Sequence, residues 1–143
     1  MKTFSRFRLL LPVLALVLAA GCEDLGIDTG SEVTGLSIED ASGSTLVTVS
    51  ASGAVSGSLS VPRNGQRSLR VVMRGPAGVV TPGIAESIRV TTTNSQVASW
   101  TETGQGTGTL RGGSSAGQTT LRVDFISAGS VGYTSPAIAV QVT

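Results

Sequence analysis

From residue 33 onward, hydrophobic and polar positions alternate with a period of two, the period of a strand that buries one face. In residues 67–74, Leu69, Val71 and Met73 fall on one side, and Arg70, Val72 and Arg74 on the other. Residues 119–126 repeat the scheme, with Leu121, Val123 and Phe125 expected inward and Arg122 and Asp124 outward. A last strand, 137–142, directs Ile138, Val140 and Val142 inward. Shorter strands are predicted at 33–38, 45–50, 57–61, 86–92, 97–102 and 107–111. Between them lie Arg63-Asn64-Gly65, Gly75-Pro76-Ala77-Gly78, Thr81-Pro82-Gly83, Thr103-Gly104-Gln105-Gly106 and Gly112-Gly113-Ser114-Ser115, all of which carry turn chemistry. No stretch after Gly21 repeats at 3.6 residues. Short strands separated by polar turns predict an all-β sandwich or barrel.

The start of the chain follows a different pattern. Lys2, Arg6 and Arg8 form a basic stretch, and residues 9–20 are apolar and uncharged throughout. That block has the length of a signal-peptide core and falls short of the ~20 residues a membrane-spanning helix needs. It ends in Leu18-Ala19-Ala20-Gly21-Cys22, which resembles the bacterial lipobox, with Ala19 where leucine is commonest. The resemblance implies a diacylglycerol on the Cys22 thiol and cleavage between Gly21 and Cys22. Cys22 is the only cysteine, so it has no partner within the chain for a disulfide. Two or three acyl chains, at about 0.8 kcal/mol per buried methylene, anchor stably where one does not. No cofactor beyond this covalent lipid is expected.

The domain reading is therefore a lipoprotein signal peptide at 1–21, a lipidated cysteine with a flexible acidic tether at 22–32, and a β domain at 33–143. Ten extended tether residues reach at most about 35 Å, which keeps the domain near its membrane. The expected location is the cell envelope, at the outer membrane. Acidic residues just after Cys22 leave the inner membrane as the alternative.

Composition supports an all-β domain: 40% of residues are hydrophobic, only 3% aromatic and 13% charged, and 19 are glycine. The whole chain carries +1, but from Cys22 onward seven arginines face nine carboxylates, a net charge of −2, with neither lysine nor histidine. So weak an electrostatic footprint argues against a nucleic-acid partner.

Residues 90–100, Val90-Thr91-Thr92-Thr93-Asn94-Ser95-Gln96-Val97-Ala98-Ser99-Trp100, resemble the strand–turn–strand of bacterial Ig-like group 2 domains. In that family a hydrophobic strand ends in Ser/Thr-Asn, and a Val-Ala pair opens the next. Gly108-Thr109-Leu110-Arg111-Gly112, Ala116-Gly117-Gln118-Thr119-Thr120-Leu121 and Asn64-Gly65-Gln66 continue the similarity in order and spacing, over about residues 57–143. Val90 stands where the family usually has a core tryptophan, Trp100 lies one strand later, and the stretch from Gly75 to Gly83 is long. The resemblance implies an Ig-like antiparallel β-sandwich of Greek-key type, used as a spacer, adhesion module or scaffold.

Little in the domain points to catalysis. Without histidine there is no imidazole base, and without lysine after Cys22 no Schiff-base chemistry. A hydrolase would have to draw a carboxylate pair from Glu86, Glu102 and Asp124. Gly104-Gln105-Gly106-Thr107-Gly108 has the glycines of a phosphate loop, but a strand follows where such a loop needs a helix, so it reads as a β-turn. Glu39, Asp40 and Asp124 are candidate calcium ligands, although no metal-binding loop surrounds them.

Arg70, Arg74, Arg89 and Arg122 would share an outer face if their strands were neighbours. They would form either a solvated face, with Arg122 balanced by Asp124 or Glu86, or a docking patch for an acidic partner or anionic glycan. Tyr133 reads as a loop residue, either a contact residue or one whose hydroxyl ties down its own loop. Together these features predict an envelope protein held to a membrane by lipid, whose domain has a structural role or binds an envelope protein. The alternative is an adhesion module that binds glycan or peptide through the loops at 75–83 and 127–135.

Overall fold

Two rows of alternating strands share one apolar interior. The computed structural model describes residues 31–143; the basic start, the apolar block, the Leu18–Cys22 motif and residues 22–30 of the tether lie outside the described residues. The strands are β1 (Gly35–Asp40), β2 (Thr45–Val49), β3 (Val55–Gly57), β4 (Leu59–Val61), β5 (Gln66–Gly75), β6 (Gly78–Val80), β7 (Glu86–Thr92), β8 (Ala98–Gly104), β9 (Thr107–Gly112), β10 (Gly117–Ser127), β11 (Ser130–Thr134) and β12 (Ile138–Val142).

They form two sheets. One has the order β3-β2-β1-β5-β9-β8, with β6 also pairing with β5; the other has β11-β10-β12-β4, with β7 on the opposite side of β10. All pairings are antiparallel except β12 with β4. Because β5 lies between β1 and β9 rather than between its neighbours in sequence, the connections are of Greek-key type. The domain is an Ig-like antiparallel β-sandwich.

The inward faces match the alternation in the sequence. Leu69, Val71 and Met73 of β5, Leu121, Val123 and Phe125 of β10, and Ile138, Val140 and Val142 of β12 are all buried. Leu36, Ile38, Val47, Val49, Leu59, Val61, Ile88, Ala98 and Leu110 complete the core.

Three strands go beyond the sequence reading. The expected strand at 57–61 is two: β3 pairs with β2, then the chain steps across at Ser58 and β4 pairs with β12. The step needs Gly57, whose φ is +90° and whose missing Cβ would press on the Leu46 carbonyl. The stretch from Gly75 to Gly83 is in part a hairpin, with β6 folding back on β5. The segment 127–135 is no long loop either. Ala128 (φ 49°) and Gly129 (φ 79°) make a two-residue turn, and β11 returns along β10.

The other side of the sandwich closes where β7 hands over to β8. Here Asn94 has the role its motif suggested: its Oδ1 accepts from Gln96 N at 3.0 Å, its carbonyl accepts from Ala98 N at 3.1 Å, and its own N–H donates to Thr119 Oγ1 at 3.0 Å.

The registers also fix where the chain enters and leaves. Gly35 is opposite Arg74, and Glu86 opposite Ser127, so these residues lie at one end. Ser31 joins it through Glu86, and Thr34 through the Arg74 carbonyl. Gln66 faces Arg111 and Gly117 faces Val142 at the other end, where Arg63 N donates to the Thr143 carbonyl. At about 3.3 Å per residue, the ten residues of β5 put the two ends roughly 30 Å apart.

Candidate functional site

The arginines do not form one patch. Arg70 and Arg74 lie on β5 of the first sheet, and Arg89 and Arg122 on β7 and β10 of the second. All four alternate with core residues, so each pair points outward from its own sheet and the two pairs face opposite directions. Period-two patterning says which residues face out but not which sheet a strand joins; the condition for one shared face, that the strands be neighbours, is met within each pair at most and not between the two pairs.

Three of the four are also engaged. Arg70 Nη2 donates to Glu39 Oε2 at 2.7 Å, and Arg74 donates through Nε and Nη2 to Ser37 Oγ at 3.3 and 3.2 Å. Ser37 and Glu39 are on the outward side of β1 yet are only 1% and 8% exposed. The arginine stems from the neighbouring strand lie across them and leave the charged ends in water. On the second sheet, Arg89 donates to Asp124 Oδ2 through Nη2 at 2.7 Å and Nε at 3.1 Å. That bond, helped by the Thr134 hydroxyl, holds the Asp124 carboxyl below its usual range despite some desolvation. Asp124 is therefore the partner of Arg89 directly across the ladder, not chiefly of Arg122.

Glu86 is committed elsewhere, to partners that no local pattern reveals. Its carboxylate accepts from Gly83 N at 2.8 Å, from Ser31 N at 2.9 Å and from the Ser31 hydroxyl at 3.2 Å, with Ser127 Oγ at 3.5 Å. The two backbone N–H donors lower its pKa most. The residue thus clamps the incoming chain to the loop before β7 and to the end of β10. Glycosidase chemistry needs an acid whose pKa is raised, and both Glu86 and Asp124 are shifted the other way.

The candidate calcium ligands separate in the same manner. Glu39 and Asp40 are on β1 and Asp124 is in the opposite sheet. Among the described residues no three carboxylates, cysteines or histidines gather. Asp40 Oδ1 instead closes its own turn, accepting from Ser42 Oγ at 2.6 Å, Ser42 N at 2.9 Å and Ser44 N at 3.0 Å, which lowers its pKa.

Tyr133 is a strand residue, opposite Phe125 on β11, and packs partly buried against the core. It neither stands out as a contact residue nor ties down a loop: its hydroxyl is buried without a hydrogen-bond partner among the described residues, and burial raises its pKa. Phe125 is in the core as expected, whereas Trp100 is only partly buried. The Trp100 indole lies across Gly108 of β9, in space that a Cβ at 108 would occupy. The glycines at 104–108 form the β8–β9 turn, as expected. Gly106 O accepts from Val71 N at 2.7 Å and Gln105 Nε2 donates to Glu86 O at 2.6 Å, which tucks the turn against the sandwich.

An open groove of about 540 Å³ lies beside the β1–β2 turn, lined by Asp40, Ser42, Arg70, Thr103, Thr107 and Thr109 among others. It carries hydroxyls, one carboxylate and one guanidinium.

No family model and no curated protein matches this chain. Among solved structures, the chain is similar to domains 4 and 5 of the S-layer protein SbsC, at 19% identity and a TM-score of 0.46 over 62% of this chain and 48% of that one. Domains 1–6 of the same S-layer protein align at 17% identity and a TM-score of 0.46, over 80% of this chain and 21% of that one. The Escherichia coli adhesin FdeC aligns at 23% identity and a TM-score of 0.39, over 78% of this chain and 31% of that one. The chain thus spans less than half the length of each of these structures.

Proposed function

We propose that this is a lipid-anchored cell-envelope protein whose Ig-like domain has a structural or protein-interaction role and carries out no catalysis. The observation that carries this reading is the run Leu18-Ala19-Ala20-Gly21-Cys22 at the end of an uncharged apolar block, shortly before a β-sandwich with a filled interior. The lipid is a diacylglycerol, with further acylation, on Cys22, and the anchoring membrane is the outer one. The order of the strands and of the Asn94 turn supports placing the domain with the bacterial Ig-like group 2 domains. Intact mass of the membrane-extracted protein tests the anchor: a chain beginning at Cys22 with added diacylglycerol is expected. Full-length chain with Met1 and a free thiol would refute it. Cross-linking in the envelope, followed by identification of the captured proteins, tests the partner.

The groove beside the β1–β2 turn favours a second reading, an adhesion module that binds glycan. Arg70 and the threonine hydroxyls supply polar contacts, but the groove contains no aromatic platform. Binding on a glycan array that Arg70→Ala abolishes would establish it, and an array without hits would remove it.

A further inference from the structure

We infer that the sandwich is a tension-bearing link, built to resist a pull between the point where the chain enters it and the point where it leaves. The two points are at opposite ends of the fold, with Ser31 and Gly35 at one and Val142 and Thr143 at the other. The first and last strands are both interior strands. β1 is flanked by β2 and β5, with register from Leu36↔Val49 to Glu39↔Thr45 on one side and from Gly35↔Arg74 to Asp40↔Leu69 on the other. β12 is flanked by β10, from Gly117↔Val142 to Leu121↔Ile138, and by β4, from Val140↔Leu59 to Val142↔Val61.

The direction of each strand decides how a load acts on it. β1 begins at the end where the chain enters, so a pull on that side draws it along its own axis. Its ladder hydrogen bonds lie across the pull and are loaded together, so none can open ahead of the rest. β12 ends where the chain leaves, and the opposing pull shears it in the same way. Extra bonds prolong both grips: Thr34 N to Arg74 O at 2.9 Å, and Thr143 N to Val61 O at 3.2 Å. Between the sheets the load crosses the packed core, where Leu36 and Ile38 of β1 share one apolar cluster with Ile138, Val140 and Val142 of β12. A pull on the open end of a hairpin would instead break one rung at a time.

This goes beyond the structural role proposed above and does not depend on Cys22 being acylated, because the strands that resist the pull all lie within residues 31–143. Single-molecule force spectroscopy tests it on the chain produced without acylation, so that the Cys22 thiol is free to carry one handle and the C-terminus carries the other. The comparison is the Cys22→Ser, Ser115→Cys chain, pulled between residue 115 and the C-terminus. Both of those points are at the same end, so β10 and β12 unzip. At equal loading rate, the rupture force in the first geometry is expected to exceed the second by about twofold or more. Equal or lower force in the first geometry, or stepwise release of short segments at low force, overturns the inference. Ser115 is exposed, and a thermal transition matching that of the unsubstituted chain verifies that the variant folds. Ser114→Cys, also exposed, provides the same geometry if it does not.

Discussion

Adding one methyl group at Gly108 would show how closely the edge of this sandwich is packed. Gly108 is buried on β9, and Trp100 of β8 lies over it. A Cβ built there overlaps Trp100 Cζ2, sits 2.5 Å from Cε2 and comes within 2.7 Å of the Thr101 carbonyl oxygen. Its φ lies outside the left-handed region, so the obstacle is steric alone. Two responses are open to Gly108→Ala. If the indole swings out, it gives up about 100 Å² of apolar contact, or roughly 2.5 kcal/mol at 25 cal/mol per Å². If β8 shifts instead, overpacking costs typically about 1–3 kcal/mol. Either way the loss is about 1–3 kcal/mol. Urea unfolding followed by tryptophan fluorescence measures it cleanly, because Trp100 is the only tryptophan. The midpoint should fall with an unchanged slope. A swung-out indole also makes the native emission of the variant red-shifted before any urea is added. In a double-mutant cycle with Trp100→Val, the penalty should shrink without vanishing, because the Thr101 carbonyl remains in the way. A change within about 0.5 kcal/mol, with unaltered emission, would refute this account of the packing.

Other perturbations follow from the same contacts. Ala128 has a left-handed φ without being glycine or asparagine, so Ala128→Asn should stabilise the domain by about 0.5–1 kcal/mol in urea unfolding. Tyr133→Phe removes a buried hydroxyl that lacks a partner and should leave stability equal or up to about 1 kcal/mol higher. Burial raises the Tyr133 pKa, so the folded domain loses stability as pH climbs past about 10, a loss the phenylalanine variant should not share in alkaline unfolding. Because the Glu86 pKa is lowered, the grip of this residue on Ser31 is complete above about pH 4.3 and fades as pH falls through the lower folded-state value. Hydrogen exchange should therefore speed up at the Ser31 and Gly83 amides by about tenfold in Glu86→Ala at neutral pH. Arg89→Ala should cost no more than about 1 kcal/mol, since its guanidinium is exposed, while the Asp124 carboxyl titrates closer to its usual range by NMR.

Much of the domain was legible because alternation is local. The inward sets on β5, β10 and β12 could be read residue by residue, and the resemblance at residues 90–100 implied a turn between β7 and β8. The misses have a common cause. β3, β6 and β11 are short, and Gly57, Gly78 and Gly129 interrupt or border them, so turn chemistry outweighed strand pattern there. Tyr133 was misplaced for that reason, since Ala128-Gly129 made a two-residue turn look like the start of a long loop. Whether the arginines share a face and whether the carboxylates gather are questions of another kind: both require knowing which strands are neighbours.

By itself the sequence determined what each position can do: which side chains must leave water, where the backbone can reverse, and that the only cysteine follows an uncharged apolar block. Those are properties of a residue and its immediate neighbours. The tertiary structure alone decided which outward charges meet, that Glu86 clamps Ser31, and that the first and last strands of the sandwich are both interior strands. Such relations join residues far apart in the chain, Ser31 and Glu86 by 55 positions and Leu59 and Val140 by 81. They depend on strand order and register, which a period of two leaves undetermined until the sheets have formed.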